Sequence, residues 1–124
     1  MHTRRPLLTS FRHAISGIGE VLRTQRNARI HLGITLTVIG VAGWLKLAVG
    51  DWALLVITAA LVWTAELINT ALEAVVDLAS PEWQPLARTA KDLSAAAVLV
   101  AAIGAAVVGV LLLAPPLAGR LLPN

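Results

Sequence analysis

Residues 93–114 read LSAAAVLVAAIGAAVVGVLLLA, a stretch without a single charged side chain. About 20 mostly apolar residues are enough for a helix to cross the hydrocarbon core of a bilayer, so this stretch predicts a transmembrane helix. Pro115 and Pro116 follow it, and we expect them to end the helix because proline cannot continue the backbone hydrogen-bond ladder. The composition agrees, since 57% of the 124 residues are hydrophobic and only 14% are charged.

Two further apolar stretches precede this one. Residues 30–49 predict a first span, broken only by Lys46 near its end, and residues 52–78 predict a second. We expect a tight turn around Gly50 and Asp51 between them. Residues 79–90 contain two prolines and predict an irregular loop before the third span. The predicted fold is therefore an all-α membrane protein in which residues 1–124 form a single membrane domain.

The segment ahead of the first span, about residues 7–26, has a different pattern. Its apolar residues recur at helical spacing, with polar residues between them; they are Leu7, Leu8, Phe11, Ile15, Ile18 and Leu22. This pattern predicts an amphipathic helix that lies in the membrane interface. The alternative is a soluble helix docked on a cytoplasmic surface.

Basic residues are concentrated at the start of the chain. Six of the ten lie before the first span: Arg4, Arg5, Arg12, Arg23, Arg26 and Arg29. Phe11 is the one aromatic residue among them, so they indicate membrane topology better than a nucleic-acid surface, and we expect no nucleic-acid partner. Arginine-rich segments stay in the cytoplasm. Three crossings then place the 79–90 loop in the cytoplasm as well and the C-terminus outside.

The second span carries a stripe of polar side chains. At intervals that define one helix face it presents Glu66, Asn69, Thr70, Glu73 and Asp77. An ionisable residue inside a bilayer costs free energy and by default indicates a functional site. The alternative is that these acids pair with arginines of neighbouring helices and only hold a bundle together.

The same end of the predicted bundle also receives Lys91 and Asp92 and the arginines before the first span. Carboxylates can hold Mg²⁺ together with phosphate oxygens, and basic groups can neutralise a phosphoryl group in transfer. A buried glutamate can accept a proton from a hydroxyl. These functions suit phosphorylation of a lipid alcohol, but a proton-coupled exporter would also use an intramembrane glutamate. No P-loop, protein-kinase or zinc-protease motif is present.

Four stretches resemble the prokaryotic diacylglycerol kinase and undecaprenol kinase family. Residues 65–77 (AELINTALEAVVD) look like its signature, and residues 90–98 (AKDLSAAAV) are similar to its second conserved block. Residues 80–86 (SPEWQPL) and 26–31 (RNARIH) are similar too. The likeness runs from about Phe11 to Leu113. It implies a homotrimeric membrane enzyme that transfers the γ-phosphate of ATP to a lipid alcohol, with active sites shared between subunits.

The resemblance also implies roles for individual residues. Glu66 would be the general base and Glu73 would bind the divalent metal, expected to be Mg²⁺. The supporting residues would be Asn69, Asp77 and Asn27. Those that contact the nucleotide would be Glu82, Gln84, Lys91 and Asp92.

Two positions depart from the family pattern. Gln25 stands where the family usually supplies a second metal-binding glutamate, and Gln84 stands where histidine is expected. A glutamine carbonyl can still ligate Mg²⁺, but without charge, so a catalytically impaired homologue is a further alternative. The 26–31 stretch looks more like the branch that favours undecaprenol. Nothing else in the sequence separates undecaprenol from diacylglycerol.

Overall fold

The computed structural model describes residues 6–122, and every regular element in that range is an α-helix. The helices are α1 (Leu7–Thr24), α2 (Arg26–Leu45), α3 (Val49–Ala79) and α4 (Pro85–Leu121). The last three are each long and apolar enough to cross a membrane. The predicted fold class, an all-α protein with three candidate spans, is confirmed.

Helices α2, α3 and α4 run antiparallel to their neighbours in the chain. Thr35 of α2 meets Trp63 of α3, and Asn69 of α3 meets Ser94 of α4. The bundle therefore has two ends. We call the end with the α1–α2 junction and the Ser80–Gln84 connection the loop end, and the end with the α2–α3 connection the turn end.

Helix α1 follows its predicted pattern closely and ends at Thr24. Its apolar face has little cover within the chain, since Phe11 is 66% and Ile15 is 68% exposed. Val21 is its one buried residue, and Gln25 then adopts an extended conformation that redirects the chain into α2. An amphipathic helix with an uncovered apolar face is suited to the membrane interface, which remains our expectation for α1.

The three long helices bury few side chains against one another. Helix α3 packs most extensively against α4, and small residues such as Ala102, Ala105 and Gly109 line the inner face of α4. Large apolar side chains remain exposed along all three helices. In water such a surface would aggregate, whereas lipid or further copies of the chain can cover it.

The connection between α2 and α3 lies earlier than predicted. Helix α2 ends at Leu45, because Lys46 adopts a left-handed conformation with φ 55° and its backbone N–H caps the carbonyls of Ala42 and Gly43. The expected turn around Gly50 and Asp51 is wrong, since both residues lie in the first turn of α3. Asp51 is favourable there because an acid near a helix N-terminus interacts well with the helix dipole.

Two further boundaries differ from prediction, and both involve proline. The predicted 79–90 loop spans only Ser80–Gln84, because Pro85 begins α4 at a position where a missing N–H breaks no helical hydrogen bond. Pro115 and Pro116 do not end the third span: α4 continues through both to Leu121. Membrane helices tolerate proline where neighbouring groups compensate for the lost bond.

Candidate active site

The most buried charged group in the described part of the chain is Glu66, near the middle of α3. It is 2% exposed, and its Oε2 atom has no hydrogen-bond partner. The nearest basic group is the imidazole of His31 on α2, whose Nε2 lies 3.8 Å from that oxygen. A carboxylate in this position is destabilising for the fold, which indicates that it is retained for function.

About one turn nearer the loop end than Glu66, a hydrogen bond joins α3 to α4. The Ser94 hydroxyl donates a hydrogen bond of 2.7 Å to Oδ1 of Asn69, and it also lies 3.0 Å from the backbone carbonyl of Lys91. Asn69 was predicted to support the site, and this contact fixes its amide. Ser94 was not predicted, because its contact depends on how α3 and α4 are rotated about their own axes.

Nearer the loop end, the acids of α3 meet the bases of α4. Lys91 forms an ion pair with Asp77, and Arg88 lies 3.7 Å from Asp92 within α4. Asp77, Arg88 and Asp92 are exposed, while Lys91 is half-buried. Exposed ion pairs contribute little to stability, so a charged ligand can replace these pairings with little loss of stability.

A polar cleft of about 330 Å³ opens beside these ion pairs. We call it the loop-end cleft. All four residues predicted to contact the nucleotide lie in its wall: Glu82, Gln84, Lys91 and Asp92. Asp77 lies there too. Trp83 and Arg88 also line it. Its two cations can bind phosphate oxygens, and its three carboxylates can bind a cation that accompanies the phosphate.

The two predicted metal-binding residues lie on different elements. Glu73 is half-buried on α3 between Asn69 and Asp77, and Gln25 is half-buried at the α1–α2 junction. Asn27, also predicted to support the site, is exposed on α2. Between residues 6 and 122, no group of three or more histidine or acidic side chains is arranged to hold a metal by itself.

The donor chemistry nevertheless suits Mg²⁺. This ion prefers oxygen ligands and is usually held by one or two carboxylates while substrate phosphates and waters complete its shell. Glu73 would supply a carboxylate and Gln25 an amide carbonyl. A site completed by nucleotide phosphates would not form a full protein cage in the absence of the nucleotide.

Between Glu66 and the turn end lies a second, larger space. A groove of about 720 Å³ runs between α2, α3 and α4, from His31 to Leu117, and is lined almost entirely by apolar side chains. We call it the apolar groove. His31 is the residue that links this groove to the Glu66 carboxylate. The buried acid thus stands close to an apolar groove, while the polar cleft lies further along the same helix.

In the sequence, His31 belongs to the 26–31 stretch that resembles the family, but no role was predicted for it. A usable signal was present, because His31 lies within α2 and an ionisable side chain inside a predicted span indicates function. The distance to Glu66 could not be read from the sequence, because it depends on how α2 packs against α3.

Fold and site together define the class: a small helical membrane protein with a buried acid and a polar cleft near one end of its spans. The chain belongs to the prokaryotic diacylglycerol kinase family, whose sequence pattern matches residues 12–113.

Individual relatives agree with this membership. A protein of Synechocystis sp. named diacylglycerol kinase is 49% identical over 112 residues, which cover 90% of this chain and 64% of the relative. A protein of Bacillus subtilis named undecaprenol kinase is 36% identical over 108 residues, covering 87% and 88% of the two chains. A Pseudomonas aeruginosa diacylglycerol kinase is 33% identical over 95 residues, 77% of each chain. The chain thus spans less than two thirds of the length of the Synechocystis relative and more than three quarters of the length of the other two.

Proposed function

We propose that this protein is a membrane lipid kinase that transfers the γ-phosphate of ATP to undecaprenol or diacylglycerol. The observation that carries the proposal is the place of Glu66, a buried carboxylate beside an apolar groove and on the helix that leads to a polar cleft. A lipid alcohol and a nucleotide have opposite solubility, so an enzyme that joins them needs both environments close to one reactive group.

In the proposed mechanism, Glu66 is the catalytic base. It accepts the proton of the lipid hydroxyl while the hydroxyl oxygen attacks the γ-phosphorus and the bond to the β–γ bridging oxygen breaks. Lys91 and the polar residues of the loop-end cleft bind and orient the ATP phosphates. Asn69, held by Ser94, supports the base from the next turn of α3.

Glu73 and Gln25 would hold a divalent metal, proposed to be Mg²⁺. When bound, such an ion neutralises charge on the β- and γ-phosphates during transfer. Asp77 is already paired with Lys91, so we assign it to positioning that lysine rather than to the metal.

We further propose that the loop end faces the cytoplasm, where ATP is available, because six of the ten basic residues lie within the first 29 positions of the chain. The exposed apolar side chains of α2, α3 and α4 support assembly into an oligomer, proposed to be a homotrimer. Sedimentation or light scattering of the detergent-solubilised protein measures its subunit number directly.

The experiment that tests the proposal is transfer of labelled phosphate from ATP to lipid in mixed micelles with Mg²⁺. Undecaprenol and diacylglycerol are tested side by side, and labelled product identifies the substrate. Glu66→Gln is expected to lower kcat by about 10²-fold or more while the protein keeps its oligomeric state. The matched control is Glu20→Gln, because Glu20 is an exposed acid of α1 paired with Arg23.

Lack of product with both lipids from correctly assembled protein would refute the kinase proposal for these substrates. If the enzyme is active and Glu66→Gln retains most of that activity, the kinase assignment stands but the assignment of the base is wrong. Equal losses in Glu66→Gln and Glu20→Gln would point to a general effect of charge removal rather than to catalysis.

A further inference from the structure

The buried position of Glu66 creates a problem that the proposed mechanism leaves open. At neutral pH, phosphorylation of an alcohol by magnesium-bound ATP releases one proton for each product formed, and that proton is first held by the base. Glu66 must lose it before the next turnover. Its side chain is only 3% exposed, so direct transfer to bulk water is obstructed.

His31 is the one titratable group beside the carboxylate in the described residues. Its Nε2 lies 3.8 Å from Oε2 of Glu66, which is the oxygen without a hydrogen-bond partner. The His31 side chain is 19% exposed, so it contacts the buried acid on one side and reaches the surface on the other. Imidazole can accept a proton at one ring nitrogen and release one from the other.

The other charged groups on neighbouring elements are engaged elsewhere or stand further along their helices. Glu73 lies two turns from Glu66 along α3, and Arg29 is exposed on α2. Three ion pairs engage other charged groups near the loop end: Glu20–Arg23 on α1, Arg88–Asp92 on α4, and Asp77–Lys91 between α3 and α4. None of these pairs includes Glu66. Arg26 at the start of α2 and Glu82 in the α3–α4 connection are both exposed.

We propose that His31 is a positioning residue that orients the Glu66 carboxylate and then accepts its proton, resetting the base after each turnover. The inference rests on the proposed role of Glu66 as base. In this step the O–H bond at Oε2 breaks and an N–H bond forms at Nε2 of His31. The imidazolium then gives a proton to water from Nδ1, and exchange of the ring proton with water, from Nε2 back to Nδ1, frees Nε2 for the next turnover. For this transfer, the 3.8 Å distance between Nε2 and Oε2 must shorten by about 1 Å or be bridged by one water. Catalytic hydrogen bonds often reach such geometry only once substrate is bound.

Chemical rescue tests this role. His31→Ala is expected to lower kcat by about tenfold or more, with the KM values for ATP and lipid changed less than kcat. Added imidazole is expected to restore activity in proportion to its concentration. Pyrazole, a ring of the same shape but a far weaker base, is expected to have no effect. The matched control is His13→Ala, which removes an exposed histidine of α1 and is expected to respond to neither compound.

A second variant, His31→Gln, keeps a polar side chain of similar reach and guards against a folding defect. It should assemble normally and show the same loss of kcat, with a larger solvent deuterium isotope effect than the wild type. Near-wild-type kcat in both variants would refute the proposal, as would equal rescue by imidazole and pyrazole, because filling a cavity would then explain the data. Failure of the proposed base is separate, since it appears as activity retained by Glu66→Gln.

Discussion

Different kinds of contact hold the helices together at the two ends of the bundle. In the half of the bundle nearer the loop end, a buried carboxylate without a hydrogen-bond partner, an Asn69–Ser94 hydrogen bond and two ion pairs follow one another along the helices. At the turn end, Lys46 closes the α2–α3 connection and the Arg120 guanidinium lies 5.1 Å from the centre of the Trp44 ring. One end retains a group that lowers the stability of the fold, and the other contains contacts that raise it.

This difference indicates where function is placed. A fold optimised for stability would put an apolar side chain at position 66, since an unsatisfied buried polar group costs about 1–3 kcal/mol. No other buried side-chain nitrogen or oxygen in the described residues lacks a hydrogen-bond partner. Removal of the Glu66 carboxylate should therefore raise stability and lower activity, whereas loss of a turn-end contact should lower stability and leave activity unchanged. The following predictions test this.

The largest effect is expected from Glu66→Leu. Turnover should fall by at least about 10²-fold because the base is lost. The free energy of unfolding should rise by about 1–3 kcal/mol, since an unpartnered carboxylate is replaced by an apolar group in an apolar site. Phosphate transfer and thermal unfolding in the same micelles measure both quantities. A variant that is inactive and also less stable than wild type would show that Glu66 holds the bundle together instead.

The next effect concerns the loop-end cleft. Lys91→Met removes a cation that is half-buried in the wall of the cleft and paired with Asp77. Because a charge-assisted hydrogen bond to phosphate is roughly twice as strong as a neutral one, we expect KM for ATP to rise about tenfold or more. KM for the lipid should change little.

The matched control for this prediction is Lys46→Met at the turn end, which removes the same charge on the other side of the bundle. It should leave both KM values within about twofold, because salt screens exposed charges beyond roughly 10 Å. Equal changes in the two variants would mean that Lys91 acts through net charge and not through contact with the nucleotide.

A smaller change is expected at the proposed metal site. Gln25→Glu adds a carboxylate where the chain has an amide, and even in a water-like environment a charge pair at 4 Å contributes about 1 kcal/mol. The Mg²⁺ concentration for half-maximal activity should therefore fall roughly fivefold or more. Thr24→Glu, which places the same charge at the exposed neighbouring residue, is the control.

The outcome also separates two interpretations of this chain. An unchanged Mg²⁺ requirement in Gln25→Glu would remove residue 25 from the metal site. A near-inactive wild type together with a large gain in Gln25→Glu would show a kinase impaired by loss of its second metal-binding carboxylate.

Much of this arrangement could be predicted from the sequence because helices are periodic. Residues 66, 69, 73 and 77 must share one face of any continuous helix, and α3 is continuous through all of them. The prediction that Glu82, Gln84, Lys91 and Asp92 act together came from family resemblance, and the structure places them around one cleft. Their contact with nucleotide stays a prediction.

Prediction from the sequence failed where the structure depends on tertiary packing, or where a residue adopts a conformation that its type disfavours. Proline disfavours helix, yet α4 continues past Pro115 and Pro116 and so carries Arg120 to Trp44. Glycine favours turns, yet Lys46 takes the left-handed position and Gly50 is helical. The closeness of His31 to Glu66 belongs to this group too, since it is set by the packing of α2 on α3.

The smallest effect is expected at the turn end, from breaking the contact between Arg120 and Trp44. Arg120→Met keeps much of the side-chain length but removes the charge, and Trp44→Leu removes the ring. A cation–π contact at an exposed site contributes about 0.5–1 kcal/mol, so each variant should lower the free energy of unfolding by at least about that amount. A double-mutant cycle should return a coupling energy of the same size, because the two side chains lie in contact.

Turnover in these variants should equal that of the wild type. Trp44 lies thirteen residues beyond His31 on α2, and a rise of 1.5 Å per residue places it roughly 20 Å away along the helix axis. A coupling energy near zero would mean that the contact does not hold the end of α4. Loss of turnover with assembly intact would mean that the turn end controls the site through α2. The two ends would then be coupled, and stability and activity could not be assigned to separate ends of the bundle.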